Sequence, residues 1–128
     1  MRWILAALIA AMAAAGCQRG AQDADNLTVS LRVAPDPPRV GAAQVMVSLR
    51  DAAGQPVAGA QVELEGTMSH AGMTPVTAAA TEDGPGVYRA DLEFTMAGDW
   101  IIIVHATLAD GRTWQHQIDL PGVRGKAP

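Results

Sequence analysis

The sequence predicts an all-β protein, an immunoglobulin-like antiparallel β-sandwich of about seven strands. Three observations lead there. Short runs alternate apolar with polar residues, the period of a strand with one buried face. Clusters rich in Gly, Pro and Asp separate these runs at short intervals. After residue 17, no stretch shows the 3.6-residue spacing of an amphipathic helix. Short strands with regular turns over roughly 100 residues are what such a sandwich requires.

In the first run, Leu27, Val29, Leu31 and Val33 alternate with Asn26, Thr28, Ser30 and Arg32. Pro35-Asp36-Pro37-Pro38 stops it, because proline cannot donate to a sheet ladder. Val45, Val47 and Leu49 mark a second strand, and Asp51-Ala52-Ala53-Gly54 turns the chain. Ala60, Val62 and Leu64 face inward on a third, with Gln61, Glu63 and Glu65 outward. Val76, Ala78 and Ala80 make a weaker fourth, closed by the turn cluster Glu82-Asp83-Gly84-Pro85-Gly86. Tyr88, Ala90, Leu92 and Phe94 form the inner face of a fifth. Trp100 to Leu108 is the sixth strand and Thr113 to Leu120 the seventh.

The last hairpin allows a choice of register. A two-residue Asp110-Gly111 turn would pair His105 with His116 and set polar residues beside Ile102 and Val104. A three-residue loop, with Gly111 left-handed in a G1 bulge, avoids this. Trp100, Ile102, Val104 and Ala106 then share a face with Trp114, His116, Ile118 and Leu120. Burial decides register, so the three-residue loop is expected. His105 and His116 then point to opposite faces, His116 as a packed residue and His105 as an outer-face one. Ile101 and Ile103 are left outside as a candidate contact surface.

Ahead of the domain, Met1-Arg2 is a positive start and Trp3 to Ala15 an apolar run. Small residues Ala14-Ala15-Gly16 precede Cys17, the chain's single cysteine. A positive start, a short apolar core and small residues at a cleavage point define an exported precursor. The run is shorter than the roughly 20 apolar residues that span a bilayer. With the cysteine in place it resembles a bacterial lipoprotein signal, although Ala14 stands where leucine is usual. The expected organisation is a leader over 1–16, a lipidated Cys17 with a polar tether over 17–26, the sandwich over 27–120 and a tail over 121–128. Membrane attachment is therefore expected through the lipid. Gln18 after the cysteine, in place of aspartate, is similar to an outer-membrane sorting pattern in a Gram-negative envelope. No thiol remains for a disulfide, so the core alone must hold the fold.

Nine Lys and Arg against 13 Asp and Glu give a formal net charge of −4. There is no basic patch for nucleic acid. No Ser-His-Asp arrangement, phosphate-binding loop or zinc-type Cys/His spacing occurs, so no enzyme activity is expected. Sandwich topology sends the first-to-second, third-to-fourth and fifth-to-sixth connections to one end. Two of these are Thr67-Met68-Ser69-His70-Ala71-Gly72-Met73-Thr74-Pro75 and Thr95-Met96-Ala97-Gly98-Asp99-Trp100. Thioether sulfur is a soft donor that suits Cu(I), and imidazole tolerates it. Met68, His70, Met73 and Met96 are thus candidate ligands for Cu(I), with the Trp100 indole face as a shield. The competing reading is core packing. Met68 continues the inward parity of Val62 and Leu64, and Met96 that of Leu92 and Phe94. Methionine fills such core ends well. Under that reading the domain is a structural or interaction module without metal. Met46 should point outward, and Asp99 should cap the turn before Trp100.

Four segments occur in a telling order: Gly54-Gln55-Pro56-Val57-Ala58-Gly59-Ala60-Gln61-Val62, then Met68-Ser69-His70-Ala71-Gly72-Met73, Gly86-Val87-Tyr88, and Met96-Ala97-Gly98-Asp99-Trp100. Together they resemble the YtkA-like domain, which is similar to the FixH family, over about residues 27 to 120. The resemblance implies a small sandwich outside the cytoplasm and a loose association with copper or heavy-metal handling and cation-pump systems. The family often has proline after the first loop methionine, where this chain has Ser69. FixH proteins are held by a transmembrane helix, whereas a lipid is expected here.

Overall fold

Alternating hydrophobicity becomes seven antiparallel strands in the computed structural model, which describes residues 26–70 and 73–126. The expected leader, Cys17 and nearly all of the tether lie outside those residues. The strands are β1 (Thr28–Ala34), β2 (Gly41–Arg50), β3 (Gln61–Thr67), β4 (Val76–Glu82), β5 (Val87–Phe94), β6 (Gly98–Thr107) and β7 (Thr113–Val123). Their order is β1-β2-β5-β4-β3-β6-β7. β1, β2 and β5 form one layer, and β3, β6 and β7 the other. β4 runs beside β3 from Val76 to Ala80, then pairs its last residues, Thr81 and Glu82, with Arg89 and Tyr88 of β5. One continuous sheet thus folds over on itself into the immunoglobulin-like sandwich.

The inward parity read from the sequence is the core. Val45, Val47, Leu49, Leu64, Tyr88, Phe94, Ile102 and Val104 are wholly buried. No buried polar or charged residue interrupts the core among the described residues. Apolar burial, worth roughly 25 cal/mol per Å², is therefore what holds the two layers together.

The last hairpin takes the expected register. Ala106 faces Trp114, Val104 faces His116, Ile102 faces Ile118 and Trp100 faces Leu120. Leu108 N–H donates to the Arg112 carbonyl at 2.7 Å, leaving Ala109, Asp110 and Gly111 as the loop, with Gly111 at φ +90°. The Arg112 backbone N–H and guanidinium hold the Asp110 carboxyl below its usual range.

Three expectations are corrected. β7 does not end at Leu120 but continues to Val123, which is buried and opposite Gly98 across a bulge. Asp99 does not cap the turn before Trp100. Its carboxylate accepts the Gly122 N–H at 2.9 Å, which ties down that extension. His116 is not packed but exposed, stacked on Trp114 at 5.6 Å and 4°. β7 is an edge strand, so inward parity along it does not guarantee cover. His105 lies on the outer face, its Nε2 3.0 Å from Glu65 Oε2. Ile101 and Ile103 on that face are half-buried, as is Met46 on the outer face of β2.

At the end where β5 begins, two of the motif segments lock together. The Tyr88 hydroxyl donates to the Val57 carbonyl at 2.7 Å and accepts the Ala60 N–H at 3.1 Å. The Glu82 carboxylate accepts the N–H groups of Gly59 and Gly86. Burial pushes the Tyr88 hydroxyl above its ordinary pKa of 10.0; the Ala60 hydrogen bond opposes that rise and the Glu82 charge adds to it. Tyr88→Phe leaves two partly buried backbone groups without this partner and is expected to cost about 0.5–1.5 kcal/mol. The raised pKa means the folded state holds the phenol proton more tightly. That contribution is complete below about pH 10 and fades as pH rises through the folded value. Urea titrations at rising alkaline pH should therefore show the native protein losing stability more steeply than Tyr88→Phe.

Candidate functional site

The methionine loops sit at the opposite end of the sandwich from Tyr88. β3 ends at Thr67 and β5 at Phe94, where Gly41 opens β2 beside it. The β1–β2, β3–β4 and β5–β6 connections gather there, as expected from the topology. The end of β7 joins them, since the Arg124 N–H donates to the Pro38 carbonyl at 2.9 Å and the Arg124 carbonyl accepts the Val40 N–H at 2.8 Å, pairing Arg124 with Arg39.

Met68 leaves β3 and lies half-buried against the core. Its methyl reaches across to Gly98, where an added Cβ would sit only 2.8 Å from Met68 Cε. Gly98 also has φ +130°, a conformation that side chains other than hydrogen rarely adopt. The absence of a side chain at Gly98 is therefore what lets the two methionine loops touch. The Met-X-Gly-X-Trp spacing contained this signal, but the contact partner was not readable from it.

Met96 does not continue the inward parity of β5. The strand stops at Phe94, and the Met96 side chain is 43% exposed. Its carbonyl is fixed instead, accepting a 2.9 Å bond from Trp100 Nε1. Trp100 is 1% exposed and meets Phe94 edge-to-face at 5.2 Å and 72°. Gly66 gives this ring room, since a Cβ there would lie 3.3 Å from Trp100 Cζ3. Trp100 thus forms the floor of the loop end and orients the Met96 backbone.

Met73 is half-buried against the core, and His70 is exposed. Ala71 and Gly72 between them lie outside the described residues. The sandwich end therefore carries Met68 touching Gly98 at the start of β6, an exposed Met96 in the β5–β6 loop just before it, and Met73 and His70 on the same connection as Met68. Among the described residues no three His, Cys, Asp or Glu side chains gather as a metal cluster. The two methionine connections carry thioethers, one imidazole and the Asp99 carboxylate, which accepts the Gly122 N–H. A concavity of about 590 Å³ over β3, β4 and β6 includes Glu63 and His105 but none of these methionines.

A search among curated proteins finds no match. Among solved structures, this chain is similar to murine CRIg at 13% identity and a TM-score of 0.41, over 78% of this chain and 99% of that one. The YtkA-like family matches residues 21–105, from ahead of β1 into β6. That span holds all four motif segments, both the Tyr88 lock and the methionine loops, and the chain belongs to the YtkA-like family.

Proposed function

We propose that this protein is an exported, lipid-anchored domain that captures, buffers or hands over Cu(I) at the periplasmic side of the cell envelope. Met68, Met73 and Met96 supply thioether ligands and His70 a further imidazole. The observation that carries the reading is the meeting of Met68 with Gly98, which joins two methionine loops distant in sequence. Thioethers suit Cu(I), and they form no disulfides in an oxidising compartment. Lipidation of Cys17 would block the chain's only thiol, leaving sulfur donation to methionine. Gln18 after that cysteine favours outer-membrane sorting, and hence capture or buffering in exchange with copper-handling or cation-pump proteins over a pump-subunit role.

A second reading has its own support. Met68 and Met73 pack against the core, as methionines of a metal-free interaction module would, with Ile101 and Ile103 offered to a partner. Competition titration of the purified protein with Cu(I) separates the two. The native protein should bind well above nonspecific levels, and Met73→Ala with Met96→Ala should weaken binding about tenfold or more, a loss of 1.4 kcal/mol or more. Because Met96 is exposed, Met96→Ala alone should change stability by no more than about 0.5 kcal/mol. Binding that is nonspecific, or unaffected by the double substitution, would leave the interaction-module reading standing.

A further inference from the structure

Met96 differs from the other methionines of the fold. It is the one large apolar side chain left exposed among the described residues. Met68 and Met73 pack against the core, and Met46 is half-buried on the outer face of β2. The Met96 backbone does not share this freedom, since its carbonyl is held by the buried Trp100 indole. A fixed main chain therefore carries a solvent-facing thioether. Oxidation of methionine follows exposure, and the product is a polar sulfoxide. Because Met96, unlike Met68 and Met73, is not packed against the core cluster, its conversion leaves the core intact. The sulfoxide presents oxygen in place of a soft sulfur, a poorer donor for Cu(I).

We propose that Met96 is a redox-sensitive modification site, a switch on the methionine-bearing end operated by peroxide-class oxidants. In the step itself one peroxide oxygen is transferred to sulfur. The S–O bond forms as the O–O bond breaks, sulfur loses two electrons, and hydrogen peroxide is reduced to water. Enzymes that reduce methionine sulfoxide reverse the change. The consequence for metal rests on the Cu(I) reading above, whereas the selectivity of oxidation does not.

The test treats the full-length protein, free of metal, with limiting hydrogen peroxide. After a catalase quench, peptide mass spectrometry follows Met46, Met68, Met73 and Met96. Sulfoxide should form at Met96 about fivefold faster or more than at Met68 or Met73, with an unchanged circular dichroism spectrum. Cu(I) affinity of that product should fall about tenfold. Met96→Leu should show the same loss before treatment and little further loss after it. Ag(I), a redox-inert soft ion, should slow oxidation at Met96 when bound beforehand. Equal oxidation rates at the three methionines would overturn the selectivity. A sulfoxide form that keeps full affinity would overturn the switch. If the untreated protein binds no Cu(I), the metal reading fails and the switch with it, while the order of oxidation is still read independently.

Discussion

Replacing Trp100 with alanine is expected to destabilise the protein by about 3–5 kcal/mol, the usual cost of emptying a large aromatic site. Trp100 is the largest of the fully buried side chains and stands where three structural features converge. Its ring meets Phe94 from β5, and it fills the space that Gly66 leaves on β3. Its Nε1 holds the Met96 carbonyl. Urea unfolding should show a large drop in midpoint at constant slope, which identifies a stability change and not a change in exposed surface. Trp100→Phe separates packing from hydrogen bonding. It keeps an aromatic ring but loses the N–H, so the hydrogen-bond part of its cost should be about 1 kcal/mol. That variant should also loosen the β5–β6 loop, read as faster amide exchange around Met96. A near-neutral Trp100→Ala would contradict the placement of this ring in the core.

At the other end, Gly86→Ala is expected to cost about 2–4 kcal/mol, combining left-handed backbone strain with overpacking. A Cβ at Gly86 would come within 2.7 Å of Pro56 Cβ, 2.9 Å of the Leu49 carbonyl and 3.0 Å of Pro56 Cα. Two of those atoms are backbone and cannot rotate away. The glycine cannot retreat either, because its carbonyl accepts the Leu49 N–H at 2.8 Å. Its φ of +74° adds strain for any side chain. Gly84→Ala provides the control. Gly84 also has positive φ, at +95°, but nothing lies within 4 Å of its added Cβ. It should cost only about 1 kcal/mol. Thermal unfolding of the two variants under one set of conditions tests this, and equal losses would show that the Pro56 contact is unimportant.

These two sites show where the motif segments of this chain meet. Pro56 and Val57 lie over Gly86 and Tyr88, so the Gly-X-Pro-Val and Gly-X-Tyr segments form one structural lock. Met68 and the Met-X-Gly-X-Trp segment form another contact at the far end. Only the second involves connections that carry candidate soft donors. Half of the motif signal is accounted for by folding alone, and the functional proposal rests on the other half.

Strand positions and the inner face were legible because alternation has a fixed period and burial enforces it. Val45, Val47, Leu49, Tyr88, Leu92 and Phe94 face inward as their parity requires. Even the last register was readable, since a one-residue slip would have buried Gln115 and Gln117. Parity failed where a strand stops or lacks a neighbour. Met96 follows Phe94 in phase, yet the strand has ended, so the side chain turns to solvent. His116 is in phase with Trp114 and Ile118, yet β7 is an edge. Likewise, nothing local in Asp99 announces that Gly122 will be its partner.

The sequence by itself determined that this is an all-β sandwich, which residues line its core, and which loops carry methionine and histidine. Those are properties of local period and composition. Tertiary structure alone decided that Met68 rests on Gly98, that Trp100 holds the Met96 carbonyl, and that Met96 is the exposed thioether of the set. The first depends on two segments 30 residues apart, the second on where the Trp100 ring is buried, and the third on the exact point where β5 ends. Such facts arise from how the layers close over one another, and no repeating local pattern encodes them.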